Sequence, residues 1–277
     1  MKGRLPSTRR KRKHRPPPPA ESWTARYSLL ALLAVLIVGL AEGAVVLLLL
    51  GSGTLAKALG GILLDLTLLA ALIPLYRRRP FRPSDLGLRR APPAASVGWV
   101  VLAFLVIALT NWLWLDNVLG KRTTSSLGVT LHGSTLALVL AGVFMALTAP
   151  VIEEIFFRGV LYRSLRNNLN VAAAAVIAGA IFALVHWLSY PLDTLPPRFV
   201  FGIIACLLYE RTGSLLPGIA LHCLIDAGGY EVAVTGHNHF VFPAFLALGV
   251  ALLIYRGIRL VLVPSELPRA TTRPSGT

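Results

Sequence analysis

Three clusters of ionisable residues stand inside otherwise apolar sequence, and their types suit the chemistry of water. "APVIEEIFFRG" (149–159) sets Glu153 beside Glu154, with Arg158 four residues after the second. "IFALVHW" (181–187) places His186 four residues after Phe182, and "LHCLID" (221–226) places His222 four residues before Asp226. A charged side chain at the centre of a bilayer costs roughly 3 kcal/mol or more, so each demands a reason. Neighbours on a helix point about 100° apart, so Glu153 and Glu154 cannot face the same partner. Residues four apart share a face. Glu154 is thereby assigned to Arg158 and Glu153 is left without a partner in its own helix, while His222 and Asp226 share a face of another.

Such a set supports three routes to one outcome. Glu with His can polarise a water and take its proton. Two His and a carboxylate (His186, His222 and Glu153) can hold a divalent metal such as zinc that acidifies the water. A His–Asp pair can stabilise the oxyanion of an attacked carbonyl. All three lead to hydrolysis of an acyl bond inside the membrane. Other polar residues read differently. Glu42 and Asp65, in the first two apolar segments, have no matching partners and read as interfacial or packing residues. Phe182 reads as a shaping residue, and His237 and His239 in "TGHNHF" as a solvated loop.

The elements that must position these residues are membrane helices. The chain has 277 residues, 55% hydrophobic and 14% charged, with a mean hydropathy of +0.70. Soluble domains carry about 25% charged residues, and several apolar runs reach the roughly 20 residues that cross a bilayer. The expected fold is an all-α polytopic membrane protein with eight transmembrane helices, near 27–50, 55–76, 96–119, 135–168, 171–190, 198–211, 214–230 and 240–262. Residues 1–26 and 264–277, basic and rich in Pro, Ser and Thr, read as disordered tails around a helical domain over 27–263. The net charge of +15 is concentrated in "RRKRKHRPPPP" ahead of the first apolar segment, where it sets topology and touches anionic lipid. No nucleic-acid partner is expected. With both termini in the cytoplasm, 23 of the 27 Lys and Arg fall on the inner side, and only Lys57, Lys121, Arg122 and Arg198 on the outer, as the positive-inside rule requires. Two cysteines, Cys206 and Cys223, both in apolar segments, provide neither a disulfide framework nor a Cys-rich zinc site.

Two segments are irregular. The fourth, at ~50 Å by helical rise, must tilt, project or kink, and Pro150 lies one turn before the Glu pair. The sixth is short, so "LSYPLDTLPPR" before it is expected to dip into the bundle, where irregular backbone is tolerated beside a wet cavity. Counting rise from the cytoplasmic helix ends puts Glu153 and His186 both at ~22 Å depth, Asp226 at ~20 Å and His222 at ~14 Å. Three helices thus carry the ionisable residues to similar levels.

"EEIFFR" (153–158), "FALVH" (182–186) and "HCLID" (222–226), in this order on successive membrane helices, resemble the three motifs of the CPBP family. That family comprises CAAX prenyl endopeptidases, bacteriocin-processing enzymes and lysostaphin-resistance-A-like proteins, all intramembrane proteases. "DLGLRR" and "RTGSLLPGIALH" resemble flanking family stretches, and the similarity covers about residues 77–230, densest after Leu136, with a catalytic core over about 135–230. It implies a membrane endopeptidase with a cavity open toward the cytoplasmic side, in the cell membrane of a prokaryote. Its partners are the bilayer and a peptide or lipidated protein substrate. It implies that Glu153 activates water with His186, that His222 and Asp226 bind that water or the oxyanion, and that Glu154 and Arg158 organise the site. Asp226 departs from the Asn typical of the prenyl endopeptidases. Asn donates a hydrogen bond at any pH, Asp only when protonated, so Asp226 can instead orient His222 or help ligate a metal. Metal-assisted and metal-free glutamate mechanisms both remain open to such a site. The rival readings are a non-catalytic membrane scaffold and a transporter or proton relay.

Overall fold

The structure is a computed structural model that describes residues 24–78, 80–91, 93–120, 131–187 and 189–236. It is all-helical among the described residues. The helices are α1 (Ala25–Leu50), α2 (Thr54–Ala70), α3 (Leu72–Arg78), α4 (Pro93–Asn111), α5 (Thr135–Val143), α6 (Ala149–Glu154), α7 (Arg163–Arg166), α8 (Val171–His186), α9 (Leu195–Thr212) and α10 (Leu216–Thr235). Five helical stretches are long and apolar enough to cross a membrane: Ala25–Leu50, Thr54–Arg77, Ser96–Trp114, Thr135–Arg166 and Leu192–Thr212. Helix α8 is apolar but shorter, and α10 carries His222, Asp226 and Glu231 in its length. Outward-facing leucines such as Leu48 and Leu49, 84% and 76% exposed, give α1 a surface that only lipid covers. This is an integral membrane protein. The expected eighth helix, the basic N-terminal tail up to Trp23, the C-terminal tail, His237 and His239 all lie outside the described residues.

The long fourth span is continuous from Thr135 to Arg166 but widens twice. A π-helical turn, Phe144–Thr148, precedes α6, and another, Ile155–Tyr162, follows it. Pro150 sits in the first turn of α6. It has no N–H to give and its ring crowds the carbonyl four residues back, and a wider turn accommodates both. The second π turn carries Arg158 immediately after the Glu pair.

One expectation needs correction. The sixth helix is not 14 residues long: α9 starts at Leu195 and runs for 18 residues. Pro196 and Pro197 read as loop in sequence, yet they occupy its first turn, where a missing N–H costs nothing. The segment before it still lines the interior, through Ser189, Tyr190 and Thr194.

Helices α8 and α9 pack against one another over their length, and small residues allow it. A Cβ on Gly202 would lie 2.6 Å from the Cα of Gly179, so these backbones touch where any side chain would separate them. The two flanking stretches singled out in sequence also meet. Leu215 N–H donates to the Gly87 carbonyl at 2.8 Å, Arg89 Nε to the Gly213 carbonyl at 2.6 Å, and Ser214 Oγ to the Arg89 carbonyl at 2.5 Å. This clamp holds the loop after α3 against the turn into α10, and Gly159 admits the loop's Leu86 to the π turn beyond the Glu pair.

Candidate active site

Three helical elements deliver the ionisable residues to one place. Glu153 and Glu154 end α6, His186 ends α8, and His222 and Asp226 lie one turn apart on α10. Glu153 Oε2 is 3.8 Å from His186 Nε2 and 3.8 Å from His222 Nε2. His222 Nε2 is also 3.4 Å from Asp226 Oδ2. Behind this group, His222 Nδ1 is 3.0 Å from Glu154 Oε1, the same oxygen that meets Arg158 Nη1 at 2.7 Å. Glu154 therefore serves two partners, where sequence spacing assigned it only Arg158. Gly218 makes this possible, because a Cβ there would come within 3.0 Å of Glu154 Oε2.

The rings have defined roles in hydrogen bonding. His186 Nδ1 lies 2.6 Å from the Phe182 carbonyl, and a carbonyl can only accept. The proton is thus on Nδ1, and in the neutral ring Nε2 presents a lone pair toward Glu153. His222 differs in meeting carboxyl oxygens at both nitrogens, Glu154 at Nδ1 and Asp226 with Glu153 at Nε2. Glu153 Oε2 is buried and receives no hydrogen bond from any described residue.

Arg158 and Glu154 are each 1% exposed. The guanidinium N–H groups are not aimed at Glu154 in hydrogen-bond geometry, so the contact is a close ion pair. The cation also rests over two ring faces, Phe182 at 4.6 Å and Phe201 at 5.2 Å, where the quadrupole attracts it. Phe182 is the packing centre of the site. It meets Phe157 edge-on at 5.1 Å, and its centroid is 4.4 Å from that of His186 and 5.8 Å from that of His222.

Glu153, His186, His222 and Asp226 line one wall of a cavity of about 710 Å³. Arg198 of α9 lines it too, with Nη1 donating to the Thr194 carbonyl at 2.9 Å and the guanidinium over the Tyr190 ring at 4.1 Å. Farther along, the lining turns apolar, through Gly39, Leu40 and Leu47 of α1 and Gly61 and Leu64 of α2. Two readings made from sequence change here. Glu42 has a partner, accepting from Thr67 Oγ1 at 2.8 Å. Asp65, read from sequence as an interfacial or packing residue, is 4% exposed and lines this same cavity. Nothing in the local sequence around Asp65 signals this, since Glu153, His186, His222 and Asp226, with which it shares the cavity, come from other helices.

The metal alternative can be tested on the donor geometry. Ligand atoms bound about 2.0–2.1 Å from a tetrahedral zinc stand about 3.3–3.4 Å apart, closer than the 3.8 Å from Glu153 Oε2 to either Nε2. No set of three or more His, Cys, Asp or Glu among the described residues is arranged to hold a metal ion. The residues present do not fit a metal, and no step below runs through one.

Comparison with known families bears on the segment that contains Glu153, Glu154, Arg158, Phe182, His186, His222 and Asp226 but not Asp65. Residues 135–228 match the family of type II CAAX prenyl endopeptidases, Rce1-like. No curated protein and no solved structure matches the chain. The matched segment starts at the N-terminus of α5 and ends within α10, and α1, α2 and α4 supply further lining to the cavity.

Proposed function

We propose that this protein is an intramembrane endopeptidase in which Glu153 activates the attacking water. The observation that carries the reading is the approach of Glu153 Oε2 to the Nε2 atoms of two histidines, 3.8 Å each, at the wall of a cavity enclosed among apolar helices. The Glu153 oxygen and the His186 lone pair are both acceptors, and 3.8 Å is too long for either to bond the other directly. A water molecule has two O–H donors and suits both.

The reaction then follows from the groups present. Glu153 takes one proton from the water as its oxygen bonds the carbonyl carbon of a peptide, while His186 Nε2 accepts the other O–H and aims the oxygen. The carbonyl oxygen becomes an oxyanion. His222, with a proton on each nitrogen, donates from Nε2 to that oxygen, and its Nδ1–H stays on Glu154. Asp226, 3.4 Å from His222 Nε2, orients the ring. The tetrahedral carbon collapses, the C–N bond breaks, and Glu153 returns its proton to the departing amine. Glu154 and Arg158 hold the arrangement without touching the substrate. The family name points to a substrate that is a lipidated or membrane-associated protein, and the apolar end of the cavity suits a segment arriving from the bilayer.

The test is to map protein termini in the membranes of cells carrying wild type or Glu153→Ala. New termini that require Glu153 are expected, and they name the substrate and the cleaved bond. Identical termini, with both proteins folded and equally abundant, would overturn the endopeptidase reading in favour of a scaffold.

A further inference from the structure

Asp65 stands outside the segment that matches the CAAX endopeptidase family, on α2, in "ILLDLTLL". It is 4% exposed, and its Oδ2 has no hydrogen-bond donor among the described residues. It lines the cavity that holds Glu153, His186, His222 and Asp226, within electrostatic reach of Glu153 and His222, and its helix packs directly on α6. A buried carboxyl oxygen without a donor is costly. Local supply could remove that cost and does not. The guanidinium of Arg158 is taken by Glu154, and that of Arg198 by Thr194 and Tyr190. Glu42, the acid of the adjoining helix α1, takes a threonine hydroxyl on Oε1, has no donor on Oε2, and does not line the cavity. Asp65 alone of these faces the cavity with an acceptor that the fold leaves open.

Building on the endopeptidase reading above, we propose that Asp65 is a substrate-binding residue, which accepts a backbone N–H of the extended peptide segment beside the scissile bond. A peptide drawn to membrane depth brings one N–H donor per residue, and each loses its water on entry. The cavity walls around α1 and α2 are mostly apolar, and their other polar side chains, Ser52, Thr54 and Lys57, cluster about the start of α2. Asp65 is the acceptor at the junction between that apolar stretch and the catalytic group. The open oxygen meets a peptide donor only in the substrate complex, the pattern expected where binding and not folding has kept a residue.

The experiment uses the full-length protein in nanodiscs and a synthetic peptide spanning the cleavage site mapped through Glu153. Asp65→Leu, similar in size and without an acceptor, is expected to raise KM about 3- to 10-fold, the effect of one hydrogen bond, with kcat changed less than about threefold. Asp65→Asn keeps an acceptor oxygen and recovers most of that loss. The melting temperature of Asp65→Leu is expected to equal or exceed that of wild type, an outcome no structural role would produce. An unchanged KM in Asp65→Leu overturns the assignment, as does a loss confined to kcat or a rise in KM with a fall in stability shared equally by Leu and Asn. If wild type shows no Glu153-dependent cleavage, the endopeptidase reading itself falls. Cleavage that requires Glu153 but ignores Asp65 sinks this assignment alone.

Discussion

Replacing Arg158 with Leu separates an architectural role from a catalytic one. The Glu154–Arg158 contact is 2.7 Å, and each side chain is 1% exposed, so water cannot screen what is lost. Removing one member of a buried pair costs about 3–5 kcal/mol, mostly from the charge left behind. The ring contacts with Phe182 and Phe201 add about 1 kcal/mol, giving a loss of about 4–6 kcal/mol. For a chain of this size, about 2–4 °C per kcal/mol translates this to a fall of roughly 10–20 °C in melting temperature. The double variant Glu154→Leu/Arg158→Leu removes the stranded carboxylate and is expected to regain more than half of that loss, because replacing a whole buried pair is often close to neutral. Its activity should stay low, since His222 Nδ1 then has no acceptor. Melting curves in detergent and turnover of the mapped peptide read the two effects separately. A double variant no more stable than Arg158→Leu would refute the stranded-charge argument, and one with full activity would refute the positioning of His222 by Glu154.

Two further outcomes follow from packing and from the donor geometry. Gly202→Ala places a methyl 2.6 Å from the Gly179 backbone and is expected to destabilise by about 1–3 kcal/mol. It also lowers turnover, because α8 must shift and His186 rides on its last turn; a fully active, fully stable variant would show that α8 and α9 tolerate separation. Treatment with a strong zinc chelator is expected to leave Glu153-dependent cleavage unchanged, since the carboxylate and imidazole atoms are not spaced for a metal. Activity lost on chelation and restored by zinc would refute the metal-free route.

Much was legible in the sequence because it is local. Apolar runs longer than a bilayer is thick leave a chain only the helix for its backbone hydrogen bonds, and the five long apolar helical stretches lie where those runs lie. The four-residue spacing of Glu154 to Arg158 and of His222 to Asp226 survives folding, since helix geometry alone sets it. The prolines of "LPPR" misled because the same residue that breaks a helix interior opens a helix at its first turn. What only the tertiary structure decided lies between helices. That Glu154 answers to His222 as well as Arg158, that His186 and His222 approach one oxygen of Glu153, and that Asp65 joins their cavity all depend on helix tilt and rotation. Those are set by how closely backbones meet at Gly179 and Gly202, and by the room that Gly218 leaves for the Glu154 carboxyl. A sequence pattern specifies which face of a helix is polar. Which neighbour that face meets follows from packing summed over the whole bundle, and no single stretch of residues contains it.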